Sequence, residues 1–231
     1  MDGFPRVEAS KQSLSNRKLV CGFGVNDAEY ITQLKAENTH NRTGKPQICP
    51  FYSTWKAMIA RCHDKRMQAL QPTYVGCYVA PEWQKFSHFR IWMEQQPWNG
   101  RQLDKDLLVK GNKLYGPETS CFIPSDINHL FTDCRAVRGA WPIGVYQDGK
   151  RFRASVRVGS KQTKLGSFRN PEDAHLVYVE HKAEVIRYAI KKYENDSFLV
   201  KLLTPWLQEY RHNLFLLQLG VSPEEVWGDA A

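Results

Sequence analysis

Residues 143–168, IGVYQDGKRFRASVRVGSKQTKLGSF, set the pattern around which the chain is read. They predict three short strands joined by two tight turns, because Asp148-Gly149 and Gly159-Ser160 are pairings that favour hairpins. In the middle strand Phe152, Ala154 and Val156 take one face, while Arg151, Arg153, Ser155 and Arg157 take the other. A period of two with apolar and guanidinium sides is that of a half-buried antiparallel sheet with a cationic outer face. From Arg138 to Asn170 there are eight Lys or Arg and one acid, Asp148. A solvated sheet needs polar residues outside, but not nearly all positive ones. The bias points to a phosphate backbone as partner.

The next segment predicts a helix that covers the sheet. Asn170-Pro171-Glu172-Asp173 supplies an N-cap, a proline at the first helical position and acids in the first turn. Ala174, Val177, Tyr178, His181, Val185 and Ala189 then recur at helical spacing. Three strands and one helix make a small module with one sheet face left open.

With these residues in view, the segment resembles the APETALA-type (ethylene-response-factor) DNA-binding domain, which also occurs in phage-borne nucleases. Gly144-Val145, the basic middle strand, Leu165-Gly166-Ser167-Phe168 and Ala174 through Tyr178 carry the likeness. The resemblance implies a sheet lying in the major groove of double-stranded DNA. Tyr146, Arg151, Arg153, Arg157 and Lys164 would face the duplex, with Lys161 as a further basic candidate.

The chain has 231 residues and a formal charge of +8, with 42% hydrophobic and 12% aromatic residues. That length allows one large or two small domains with real cores. No run of eighteen apolar residues marks a membrane span, and the N-terminus shows no apolar leader core. Six cysteines without an export signal favour reduced thiols or metal ligands. The expected location is intracellular, cytoplasmic and DNA-associated.

Residues 1–18 are polar and read as a flexible arm. Gly22 and Gly24 suggest a phosphate loop, but the Gly-Lys-Ser/Thr that would complete one is missing. Residues 35–46 have loop composition. A helix is predicted from Pro50, with Tyr52, Trp55, Met58, Ile59 and Cys62 on one face and its end at 61–64. Pro81-Glu82 opens a second, carrying Trp83, Phe86, Phe89 and Met93. Both aromatic stripes read as core.

Between Arg101 and Leu130 the pattern predicts a strand over 103–108, a loop over 110–119, a strand at 121–123 and a helix capped by Ser125. Strand, loop, strand, helix is the order of a ββα-metal unit. Asp104 and Asn128 are hard oxygen ligands suited to Mg²⁺.

This half resembles the HNH nuclease superfamily, especially phage and intron-borne members with a similar upstream Trp-x-x-Met-x-x-Arg-Cys, here residues 55–62. The resemblance implies that Asp104 and Asn128 hold Mg²⁺ or Mn²⁺, which stabilises the pentavalent phosphate while a base activates water. The general-base histidine of the pattern falls on Lys105, a departure that leaves His129 or His63 as substitutes. An ammonium beside Asp104 and Asp106 is held in its charged form and makes a poor base.

Cys49, Cys62, Cys77 and Cys121 lie in the same half and form a candidate set for a structural Zn²⁺, without any C-x-x-C pair. Residues 198–219 are strongly apolar and must bury themselves, either on the preceding module or as a homodimer interface. The acidic tail beyond them reads as frayed.

The expected fold is therefore α+β. It comprises a flexible arm (1–18), an HNH-like domain (19–136), an APETALA-type domain (137–195) and a C-terminal helical segment (196–231). The expected function is a metal-dependent DNA endonuclease or nickase targeted by its basic sheet. The alternatives are a catalytically silent sequence-specific DNA-binding regulator, or a protein-interaction or inhibitor module.

Overall fold

A computed structural model describes residues 3–35, 46–131, 141–159 and 161–227. The turn residue Ser160, most of the loop read over 35–46, the boundary read at 136/137 and the end of the acidic tail lie outside the described residues. The chain is mixed α+β with small sheets and divides into two compact units, Met1–Phe122 and Ile123–Ala231. Among the described residues no helix is long and apolar enough to cross a membrane.

The first unit is built on an aromatic core. Helix α2 (Pro50–His63) starts with Pro50 at its first position and buries Tyr52, Trp55, Met58, Ile59 and Cys62, the expected stripe. Asp64 ends it by turning extended, and its carboxylate accepts the N–H groups of Arg66 and Met67 to cap α3 (Lys65–Leu70). The segment from Pro81 is a 3₁₀ turn (Pro81–Gln84), then extended Lys85, then α4 (Phe86–Glu94). Trp83, Phe86, Phe89 and Met93 are buried as expected. The Trp55 indole donates to the Trp83 carbonyl at 2.7 Å, which ties α2 to that turn. Gly24 packs so closely on the Trp55 ring that a Cβ would stand 2.8 Å from it. This glycine serves packing.

The N-terminal residues are not a free arm. Phe4 and Ala9 are buried, and Glu8 bridges Tyr30 in antiparallel fashion. A short helix, α1 (Lys11–Ser15), is capped by Ser10. The Arg17 guanidinium donates to the carbonyls of Asn26, Ala28 and Tyr30. Three carbonyls satisfied by one side chain hold the segment, a long-range device that its polar composition conceals.

Among the described residues three two-stranded sheets accompany these helices. Strands β1 (Gln33–Leu34) and β2 (Gln47–Ile48) pair antiparallel, and β3 (Tyr78–Val79) runs parallel to β5 (Leu114–Tyr115). Strand β4 (Gln102–Asp104) pairs with β6 (Cys121–Ile123). The strand expected over 103–108 stops at Asp104, whose carboxylate accepts the N–H groups of Asp106 and Leu107 at 2.9 and 2.8 Å. This aspartate turn competes with further strand pairing.

The first helix of the second unit is α5 (Ser125–Leu130). Pro124 stands at the N-cap, so Ser125 is the first helical residue and makes no cap. Strands β7 (Val145–Asp148), β8 (Arg151–Val158) and β9 (Lys161–Phe168) form a three-stranded antiparallel sheet in that order. Helix α6 (Pro171–Lys192) packs against it. The Asn170 carboxamide accepts the Asp173 N–H at 2.8 Å, giving the expected cap.

Of the stripe expected on α6, Ala174, Tyr178 and Ala189 are buried, while His181 is exposed. Burial extends instead through His175, Val179, Lys182, Ala183 and Ile186. The reason is a second neighbour: α7 (Ser197–Gln218) packs along α6 and buries Leu199, Leu203 and Tyr210. A helix covered on two sides buries a wider stripe than one lying on a sheet alone. The apolar C-terminal segment thus has a partner within its own unit. Helix α8 (Pro223–Trp227) ends the described chain.

Candidate nucleic-acid interface

The pairing of the three strands decides which side chains share a face. Tyr146 lies opposite Arg153, which lies opposite Ser167. Asp148 lies opposite Arg151, Ser155 opposite Lys164, and Arg157 opposite Gln162. Directly paired residues point to the same side of a sheet. Tyr146, Arg151, Arg153, Arg157 and Lys164 are therefore brought together on one face. Lys161 is not: it pairs with Val158 and so has the parity of Phe152, Ala154 and Val156. It is an exposed residue at the turn end of the sheet.

The apolar side is closed. Val145, Ala154 and Val156 are buried, and α6 lies over the sheet. The register shifts between Ala154 and Ser155, so Leu165 is an extra residue in β9. Such a bulge raises the local twist. It also sets Lys164 beside Ser155, whose hydroxyl accepts from the Gln162 amide at 2.7 Å.

On the open face two arginines are held in place. Arg151 Nε donates to the Ser167 hydroxyl and its Nη2 to the Ser167 carbonyl, both at 2.8 Å. Arg153 Nε donates to the Asp148 carboxylate. Among the described residues Arg157 and Lys164 have no such tie. The alternation in β8 reveals the arginines, but not their partners. Asp148, the one acid in the basic stretch, carries a signal of its pairing in the sequence. Ser167 carries none.

No family model, curated protein or solved structure matches this chain.

A second candidate cluster surrounds the end of β4 in the first unit. Asp104 is largely buried, and burial raises the pKa of its carboxyl above the ordinary carboxylate value, against the backbone N–H bonds that lower it. Lys105 is 4% exposed. Its ammonium donates to the Asp106 carboxylate and, at 2.9 Å, to the Asn112 carbonyl, and it lies over the Tyr115 ring at 5.8 Å. The Asn112 amide donates back to the Lys105 and Leu114 carbonyls. Lys105 and Asn112 together close the loop between β4 and β5.

Asn128 and His129 lie on α5, in the second unit. His63, at the end of α2, stacks on Phe23 at 4.1 Å, and burial lowers the pKa of its ring. Asp104 and His63 belong to the first unit, Asn128 and His129 to the second.

The four cysteines are all buried. The Cys49 sulfur lies 3.4 Å from the Tyr30 hydroxyl. Burial pushes the Cys62 thiol up to about 12, with the charge of Cys77 adding to it. Burial also pushes Cys121 up to about 12, with Asp104 adding to it. Among the described residues no three His, Cys, Asp or Glu side chains are gathered as a metal site.

Proposed function

We propose that the chain is a DNA-binding protein that docks the outer face of β7–β9 on double-stranded DNA. One observation carries this: Tyr146, Arg151, Arg153, Arg157 and Lys164 share a single face while α6 covers the other. Three strands span about 10 Å of backbone, which a major groove about 12 Å wide admits. A face with this charge gains affinity by releasing counterions from the duplex.

The test is to replace Arg151 and Arg153 with Ala, singly and together, and to measure duplex affinity across salt concentrations. Removing one arginine–phosphate interaction flattens the slope of log affinity against log salt by about 0.9. Unchanged affinity and slope would defeat the docking.

The endonuclease reading is the second one, favoured by the order of β4, β5, β6 and α5 and by Asp104 at a strand end. In it Asp104 and Asn128 would hold Mg²⁺ or Mn²⁺, which would supply positive charge to the scissile phosphate. The local fit is thin. Asp104 Oδ1 already accepts two N–H groups, and Lys105, at the base position, is committed to Asp106 and Asn112. These commitments favour the silent binder over the nuclease. Supercoiled plasmid incubated with Mg²⁺ or Mn²⁺, beside Asp104→Ala, separates the two. Nicking by the parent and not by the variant supports cleavage.

Zinc on Cys49, Cys62, Cys77 and Cys121 is a separate proposal that metal analysis of the purified protein decides. Pairing of two chains through α7 is another. That helix keeps Phe198 and Phe215 exposed, with Leu219 just beyond it, and a solution mass at micromolar concentration tests it.

A further inference from the structure

Asp148 stands in the wrong place for a face that only attracts phosphate. It is a carboxylate among arginines, and it repels the polyanion the face is proposed to meet. Its register partner is Arg151, yet its ion pair is with Arg153, the diagonal neighbour. Arg151 turns the other way, to Ser167 on β9. Each of these two arginines of the middle strand is thus held from a different flanking strand, and each is held by its Nε.

The chemistry of that arrangement is specific. A guanidinium bound at Nε keeps its terminal amino groups in a fixed plane, and for Arg153 neither Nη has a partner among the described residues. A planar pair of N–H donors in a set orientation suits two acceptors on one base edge. A phosphate oxygen needs no such orientation, and a flexible lysine serves it as well. An exposed ion pair adds little to stability, so the hairpin itself does not require Asp148.

We infer that Asp148 is a positioning residue that fixes Arg153 for base discrimination, at the expense of general affinity for duplex DNA. The inference rests on the reading of the open sheet face as a duplex-binding surface.

The experiment uses the full chain and a pool of randomised duplexes. The sequence enriched by the parent protein is compared with a scrambled one, for the parent and for Asp148→Asn. Asn-Gly is itself a favoured hairpin turn, so this change keeps the turn and removes the charge. A thermal melt checks that the variant is folded.

The expected result is that the ratio of affinities for enriched and scrambled duplex falls about 5- to 100-fold. Affinity for the scrambled duplex holds or rises, and its salt slope steepens by up to about one unit. In an Arg153→Lys background the same change leaves the ratio where it is. Parallel loss of both affinities, or an unchanged ratio, overturns the inference. If the parent binds duplex but enriches no sequence, the positioning role fails while the docking face stands. If the parent binds no duplex, the face reading itself fails.

Discussion

Gly144 sits at φ +82°, and the ring of Tyr178 occupies the space that a Cβ would need. Gly144→Ala meets both the left-handed backbone penalty and overpacking, so a loss of about 2–4 kcal/mol is expected. A urea midpoint equal to the parent's would refute that. The glycine is visible in the sequence, but the ring that requires it comes from the distant helix α6 and is not. Lys105 gives a second residue-level prediction. Lys105→Met keeps the stem and removes the ammonium from Asp106 and Asn112. Because Asp106 is half-exposed and regains water, the cost is about 1–2 kcal/mol. A variant as stable as the parent would remove its role as a loop pin. The third concerns Asp126. Burial works to raise its pKa but is outweighed by hydrogen bonds from Lys192 and Tyr193, which hold it below the ordinary value. Its proton is bound less readily in the folded chain than in the unfolded one. The stabilisation is therefore full above the unfolded value of about 3.9 and is lost as pH falls through the lowered folded value. Acid unfolding of Asp126→Asn should lack that part of the slope, and identical curves would count against it.

At the scale of elements, β8 and the start of α6 are legible because their signals are local. A period of two, a turn pair and an Asn-Pro cap need no distant partner to act. Strand β4 and the buried stripe of α6 depart from their sequence patterns for opposite reasons. The strand is cut short by Asp104 bonding its own neighbours, a competition that propensity does not rank. The stripe widens because α7 covers α6 on a second side, so Val179 and Ile186 become fully buried. Leu203 lies on the covered face of α7 and is itself fully buried. Leu203→Ala should cost about 2–5 kcal/mol, read from denaturant unfolding. A change below about 1 kcal/mol would mean that α7 is not packed as described.

At the scale of the whole molecule the division falls at 122/123. Helix α5 belongs with the sheet and α6: Asp126 accepts from Lys192 and Tyr193, and the Leu130 carbonyl accepts from Lys182. A fragment of residues 123–227 is therefore expected to melt cooperatively. One of residues 141–227 should melt at least about 8 °C lower, because Ile127 and Leu130 leave the core and Lys182 loses that carbonyl. Equal melting temperatures would disprove the assignment of α5. The amino-acid sequence alone determined the alternating basic strand, its hairpin turn at Asp148-Gly149 and the aromatic stripe of α2, since periodicity and turn chemistry act over a few residues. Only the tertiary structure decided that residues 4–17 are tethered, that α5 joins the second unit and that Lys105 closes a loop. In α5 the deciding bonds join groups 52 and 66 positions apart, and such pairings leave no periodic trace along the chain.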